Sequence, residues 1–460
     1  MYRKKYHIYF VGIGGIGMSG IAELLINLGY KVSGSDIKLS DITKRLSGLG
    51  CKIYDNHNEN NVIGADVVVF SSAIFQDNPE INSANNLSIP VISRAEMLAE
   101  LMRLKYSIAI AGAHGKTSTT SMVASVTAQG GLDPTVVIGG KLKSIGTNAV
   151  LGKGDFIVAE ADESDGSFLK MSPTIAVITN IDREHLDFYK DLKTIKEAFL
   201  NFIHRIPFYG IAVLCLDNEE IQEIIPKIKK RFTTYGLSAQ ADFQAKKISF
   251  LGTKTEFSVY WMEKLLGSIT LNLPGLHNVS NALASIAVGI ELGINFDVIK
   301  KALETIEGVQ RRIENKGEIN GIIVLDDYGH HPTEIKTTLA AIKNSWPDKR
   351  IIVIFQPHRY TRTKALFDDF TKAFYQCDSL IMLPIYSAGE KPIEKINSNF
   401  LCEEIKAHGH KDVVYADDVQ KALEHCMNNL KPCDILLTLG AGDVYKIGET
   451  FLEKMELCLK

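Results

Sequence analysis

The run YSIAIAGAHGKTSTT at residues 106–120 constrains this chain more than any other stretch. It reads as a short apolar strand, a glycine turn, and a helix opening with Gly115-Lys116-Thr117. That order is what a phosphate-binding loop requires. Glycines let the backbone approach a phosphate, N–H groups at the helix start point at it, and the lysine adds a cation. The Thr117 hydroxyl suits Mg²⁺. The common spacing puts a first glycine five residues before the second, but position 110 is Ile and Gly112 stands three before Gly115. This is therefore a variant loop. Its candidate triphosphate contacts are Gly112, Ala113, His114, Gly115, Lys116, Thr117 and Ser118.

A chain of 460 residues is too long for one core, so two to four domains are expected. The net charge of −3 gives no bulk pull toward nucleic acid or a membrane surface. The seven cysteines are scattered without a C-x-x-C, which predicts reduced thiols in a cytoplasmic protein. The basic N-terminus runs into MYRKKYHIYFVGIGG, whose apolar run is broken by glycines. It reads as a first strand and not a signal peptide. No stretch reaches the roughly 18 uninterrupted apolar residues of a membrane span.

Ten apolar runs read as buried strands: Ile8–Val11, Val67–Ser71, Ile108–Ala111, Phe156–Ala159, Ile175–Thr179, Ile211–Leu216, Ile322–Leu325, Ile351–Phe355, Ser379–Leu383 and Ile435–Leu439. Helical patterns such as Ile21–Leu28, Ser121–Ala128 and Ala282–Leu292 alternate with them, which predicts α/β architecture with largely parallel sheets. The stretch 231–273 alternates polar and apolar residues and reads as antiparallel. Three blocks follow: 1–103, 104–314 and 315–460. The third is expected to begin with the strand Ile322–Leu325.

Gly12, Gly14 and Gly17 form G-x-G-x-x-G between a strand and a helix, with Asp36 nineteen residues beyond Gly17. Such a loop holds any diphosphate, NAD or a nucleotide sugar alike. Gly15 lies in the same turn. Ser71 and Ser72 end the next strand, either as donors at the same rim or as plain strand caps. Glu160, Asp162, Glu163 and Asp165 crowd another strand end, where they repel one another unless a cation is present. Glu160 and Glu163 are the leading Mg²⁺ ligands of this cluster, against a solvated acidic turn. His185, in a polar loop after the next strand, is a candidate for a second metal or a phosphate oxygen. Asn278 and Asn281 open a helix and suit a purine edge or ribose, although capping explains them equally well. Arg311-Arg312 at the hinge suits bidentate phosphate binding, or is a surface pair. Asp326 to Glu334, with paired histidines His330 and His331, lacks zinc spacing. Pro332 predicts an extended His331 and a helix start. Arg359 and Arg362, three apart, are expected to share a helical face and grip a small carboxylate.

The ordered motifs GIGGIGMSGIAE, AHGKTSTT, EADESDGSF, NIDREHLD, HNVSNALA, GVQRRIE, DDYGHHPTE and FQPHRYTRT closely resemble the Mur ligases, and within them the alanine-adding branch. The resemblance covers the full chain. Departures are Ala113 and Ser118 where the family usually has Thr, and Ile313 where it has Phe. None removes a group expected to do chemistry. The resemblance implies an α/β protein of three domains. These are a Rossmann-like UDP-sugar-binding domain at 1–103, a central P-loop ATPase-like domain with a mixed sheet at 104–314, and a Rossmann-like amino-acid-binding domain at 315–460.

It also implies ATP- and Mg²⁺-dependent joining of L-alanine to UDP-N-acetylmuramate through an acyl phosphate, in peptidoglycan precursor synthesis. Lys116, His185 and His330 would be catalytic, and Thr117, Glu160, Glu163 and His185 would hold metal. Asn278, Asn281, Arg312 and Asp326 would contact the nucleotide, and Arg359 and Arg362 the alanine carboxylate. Gly12, Gly14, Gly15, Gly17, Asp36, Ser71 and Ser72 would hold the UDP-sugar. A monomer or weak homodimer without nucleic-acid or membrane partners is expected. The nearest rival is the tripeptide-recycling ligase of the same family. An NAD-dependent oxidoreductase leaves Lys116 unexplained, and a nucleotide switch leaves the arginines of the third block unexplained.

Overall fold

The computed structural model describes residues 6–71, 74–75, 77–139, 149–185 and 188–459. Ser72 lies outside them. By contacts the chain divides into two compact units. One comprises residues up to 247 with 257–269 and 280–307; the other comprises 248–256, 270–279 and 308–460. Among the described residues the strands form three sheets.

The first sheet has five parallel strands in the order Lys52–Tyr54, Lys31–Ser35, His7–Val11, Val67–Phe70, Val91–Ser93. Tyr9, Phe10 and Val11 are buried, as expected of a central parallel strand covered on both faces. The strand order reverses between His7–Val11 and Val67–Phe70. Ligands of such sheets bind in the crevice at that switch point, beyond the strand carboxyl ends. The Gly12–Gly17 loop and Ser71 stand there.

The second sheet has ten strands. Its parallel centre runs from Phe232–Gly236 through Ile211–Cys215, Ile175–Ile178, Tyr106–Ala111 and Phe156–Glu160 to Thr135–Val137. Ala149–Val150 closes one edge antiparallel. At the other edge lie Phe243–Leu251, Lys254–Trp261 and Lys264–Leu271. The last two are joined by Met262-Glu263, whose φ values of 48° and 65° are those of a two-residue hairpin turn of matching twist. The expectation of an antiparallel stretch from residue 231 is corrected in its first part. Phe232–Gly236 pairs parallel with Ile211–Cys215 and with Phe243-Gln244. The helix Glu219–Ile224 supplies the crossover that a parallel pair requires.

The third sheet has the order Glu314–Ile319, Ile322–Asp327, Ile435–Leu439, Ile351–Phe355, Ser379–Met382, Val413–Tyr415. All its neighbours are parallel except the first pair. Separate apolar clusters cover its two faces. The expected first strand of this block is therefore its second. Glu314–Ile319 reads ENKGEI, too polar to be seen as a strand, and it pairs antiparallel at the edge with a bulge at Asn315/Gly317. Asp326 and Asp327 lie inside the strand Ile322–Asp327 rather than beyond its end.

Candidate active site

The strand Tyr106–Ala111 feeds the helix Lys116–Gln129 through Gly112–Gly115. Gly112 has φ 134° and a Cβ there would stand 2.1 Å from Thr179 Oγ1. Gly115 has φ 81° and is the residue preceding the helix. The loop is braced by its neighbour: Ala113 N–H donates to Asn180 O and His114 N–H to Asn180 Oδ1, while Thr179 and Asn180 side chains donate to His114 O. The amides of the first helical turn, from Lys116 onward, have no partners within the helix.

Lys116 Nζ folds back to donate to Gly112 O at 2.6 Å and to both oxygens of Glu163 at 2.8 and 3.0 Å. The acidic cluster at the end of Phe156–Glu160 thus finds its cation in the loop lysine. Burial alone would lower the Lys116 pKa. The carboxylates of Glu163, Asp162 and Glu184 outweigh burial and hold it above its ordinary value. Burial likewise works to raise Asp162, but the Lys116 charge and the Ser164 hydrogen bonds prevail and lower it. Glu160 accepts from Gly139 N–H at 2.9 Å and from the Thr117 hydroxyl. Burial pushes its carboxyl up.

His185, at φ 54°, places Nε2 at 3.7 Å from Glu163 and 3.8 Å from Glu184. Glu163, Glu184 and His185 bring ligand atoms within 4.8 Å of one another, a donor set of two carboxylate oxygens and an imidazole nitrogen that suits a divalent cation. The sequence reading missed Glu184. Its signal was its place beside His185 in the same loop. Thr119 Oγ1 donates to Asn281 Oδ1 at 3.0 Å, so Asn281 packs on the loop helix.

At the first sheet, Gly12 has φ 78° and Gly14 N–H donates to Asp36 Oδ2 at 2.8 Å. A Cβ at Gly14 would stand 2.8 Å from that carboxylate, and one at Gly17 would stand 2.9 Å from Arg94 Nη1. Asp36 therefore meets the glycine loop directly. Gly15 precedes the helix Ile16–Asn27. The Ser71 carbonyl accepts from Ile74 N–H.

In the second unit the arginine pair splits. Arg311 donates to Asp326 Oδ2, Gly440 O and Gly442 O at 3.0, 2.6 and 2.9 Å, and lies over the rings of Tyr328 and Tyr445. Arg312 stands 3.7 Å from Glu334. Both arginines lie over the Tyr328 ring, while their polar partners differ. Asp326 is fully buried against Arg311 and Thr438. Asn278 Nδ2 donates to Pro274 O and braces the start of the helix Leu276–Glu291.

His331 precedes the helix Pro332–Ser345 in extended conformation, as Pro332 predicts. His330 holds Tyr328 O through Nδ1 at 3.0 Å and meets the His358 ring edge-on. His358 stacks on Tyr386, with centroids 5.4 Å apart. Arg359 has φ 70° and precedes the helix Tyr360–Ala365, so it shares no helical face with Arg362, and that expectation is corrected. Both arginines still flank His358. Burial, then the charges of His330, Arg362 and Arg359, push the His358 pKa down to about 4. A neutral imidazole among cations leaves the cluster suited to one small anion.

Family models match in chain order: "Mur ligase family, catalytic domain" at 7–106, "Mur ligase middle domain" at 110–289, and "Mur ligase, glutamate ligase domain" at 311–442. The UDP-N-acetylmuramate–L-alanine ligase of Desulfosudis oleivorans is 67% identical, covering 99% of this chain and 100% of the relative. That of Desulfatibacillum aliphaticivorans is 65% identical, covering 98% and 99%. Among solved structures, the UDP-N-acetylmuramate-alanine ligase of Thermotoga maritima superposes with a TM-score of 0.82 at 29% identity, covering 98% of this chain and 100% of that one. A murein peptide ligase from Psychrobacter arcticus gives 0.70 at 25% identity, covering 98% of each chain. Along its whole length, the chain belongs to the Mur ligase family, in its UDP-N-acetylmuramate–L-alanine ligase branch.

Proposed function

We propose that this protein joins L-alanine to the lactyl carboxylate of UDP-N-acetylmuramate at the expense of ATP, giving UDP-N-acetylmuramoyl-L-alanine, ADP and phosphate. The observation that carries the reading is the loop lysine Lys116 held among Glu163, Asp162 and Glu184 at the head of a phosphate-binding helix. The identity to alanine-adding relatives exceeds that to the murein peptide ligase and supports alanine over tripeptide. Nothing favours an oxidoreductase.

A carboxylate does not exchange its oxygen for an amine unaided, because the leaving group would be oxide. The lactyl carboxylate oxygen attacks the γ-phosphorus, the bond to the β-phosphate oxygen breaks, and ADP leaves. The amine of L-alanine then attacks the acyl carbonyl, loses a proton, and expels phosphate from the tetrahedral intermediate. Lys116 and the first-turn amides of Lys116–Gln129 hold the triphosphate and offset the charge that develops on it. Thr117, Glu160, Glu163 and His185, joined by Glu184, are the residues that would hold Mg²⁺. Bound there, Mg²⁺ supplies further neutralisation of phosphate charge. Asn278, Asn281, Arg312 and Asp326 are assigned to the nucleotide, and Gly12, Gly14, Gly15, Gly17, Asp36 and Ser71 to the UDP-sugar. Arg359 and Arg362 take the alanine carboxylate and His330 faces the amine.

The test is a coupled phosphate-release assay with UDP-N-acetylmuramate and, in separate arms, L-alanine, glycine, L-serine or tripeptide. Release that depends on L-alanine is expected. Release that depends on tripeptide alone overturns the reading.

A further inference from the structure

Among the buried polar atoms of the second unit that lack a hydrogen-bond partner, Gln356 Oε1 stands beside the basic cluster. Gln356 follows the strand Ile351–Phe355 and is 9% exposed, yet its Oε1 is sealed from solvent with no hydrogen-bond partner among the described residues. A buried carbonyl without a donor has given up its hydrogen bonds to water and gained none in return. Here it is kept beside the basic cluster. Gln356 stands two residues before His358, and its Oε1 lies against Gly442, where a Cβ would come to 2.3 Å from Oε1 and 3.2 Å from the Tyr386 ring. Tyr386 in turn stacks on His358. To meet a substrate the amide would have to turn about its last side-chain bond and bring Oε1 off Gly442.

We infer that Gln356 Oε1 is the hydrogen-bond acceptor for the amine of the amino-acid substrate. The inference rests on the function proposed above. An amino acid brings a carboxylate and an amine. The carboxylate has cations in plenty, from Arg359 and Arg362. The amine needs an acceptor, and among the described residues the neutral ones at hand are engaged: the Tyr328 carbonyl by His330, and His358 by Arg362 Nη1 through Nδ1 at 3.4 Å, while the nearby acceptors Glu334 and Glu390 are carboxylates. A neutral acceptor also has a chemical advantage. A carboxylate would stabilise the ammonium form, which has no lone pair, whereas an amide carbonyl accepts an N–H and leaves the amine free to lose its proton. An acceptor that has no donor among the described residues is thus satisfied when substrate binds.

Two variants test this in the full-length enzyme, by phosphate release with L-alanine and UDP-N-acetylmuramate varied in turn. Gln356→Met keeps the volume and removes the acceptor. Its KM for L-alanine should rise about tenfold or more, with KM for UDP-N-acetylmuramate within about twofold and a melting temperature no lower than wild type. Gln356→Glu keeps an acceptor but adds charge. It should hold L-alanine at least as well while kcat falls about tenfold near neutral pH and recovers as pH rises. An unchanged alanine KM in the folded Met variant overturns the inference. Should the Met variant fail to fold, a Glu variant with wild-type kcat and pH profile overturns it. If the wild type itself shows no alanine-dependent release, the underlying reading fails and takes the inference with it, an outcome distinct from failure of the variants alone.

Discussion

Lys116 and Glu163 form a largely buried ion pair, with Nζ at 2.8 and 3.0 Å from the two carboxylate oxygens and side-chain exposures of 16% and 3%. The residues proposed for phosphate and for metal therefore satisfy each other in this structure. In the proposed reaction, a triphosphate that draws the lysine away would leave Glu163 open to a cation.

Replacing Lys116 by Ala should lower ligation by at least about 10²–10³-fold, the scale set by removing one donor that stabilises transition-state charge. It also strands Glu163, a change that costs about 3–5 kcal/mol where the partner charge stays buried and ionised. The double variant Lys116→Ala/Glu163→Gln should recover thermal stability and no activity. Melting curves and phosphate release on both variants check this. Substantial turnover by the single variant contradicts the assignment.

Gly112 tolerates no side chain. Its φ of 134° and the 2.1 Å separation of a Cβ from Thr179 Oγ1 predict that Gly112→Ala destabilises by about 1–3 kcal/mol and weakens ATP binding. Gly131 supplies the control, with φ 78° and open space around its Cβ position. Ala there should carry the backbone penalty alone and leave ATP affinity unchanged. Thermal melts and nucleotide titration of the two variants separate strain from clash.

Arg311 ties Asp326 to the carbonyls of Gly440 and Gly442 with one planar fork. Lysine has neither the fork nor the flat face that lies over Tyr328 and Tyr445. Arg311→Lys should cost about 1–3 kcal/mol of stability and raise the KM for L-alanine more than that for ATP, because the 440–442 loop borders Gln356 and Tyr386. Equal effects on both KM values would sink this account.

The ten apolar runs read as strands are all strands, because a buried parallel strand announces itself as a continuous apolar run. Glu314–Ile319 was illegible because an exposed edge strand needs no apolar face. Motif residues such as Lys116 and Glu163 were legible as types, but not as a pair: 47 positions separate them, and only the sheet register brings Ile110 beside Glu160. Arg311 and Arg312 look alike in sequence. Only the fold shows one gripping the 440–442 carbonyls and the other facing Glu334. Gln356 carried no signal, since an orphaned atom is visible only once its neighbours are placed.

His277 makes stability depend on pH. Its Nδ1 is sealed without a partner, and burial, then the charge of Arg312, push its pKa down to about 4. An unfolded histidine titrates near ~6.5, so below that pH the unfolded chain binds a proton that the folded chain refuses. The stability contributed by neutral His277 is complete above about 6.5 and is lost as pH falls toward 4. His277 as a residue is only partly buried, which limits the effect to about 1–3 kcal/mol. Asp327 works in the opposite sense, since burial pushes its carboxyl up to about 6, and the raw pH profile sums both groups. The informative quantity is the difference between wild type and His277→Gln in denaturation midpoint across pH 4 to 7. It should grow in favour of the variant as pH falls. A constant difference across that range would show that His277 does not titrate with folding.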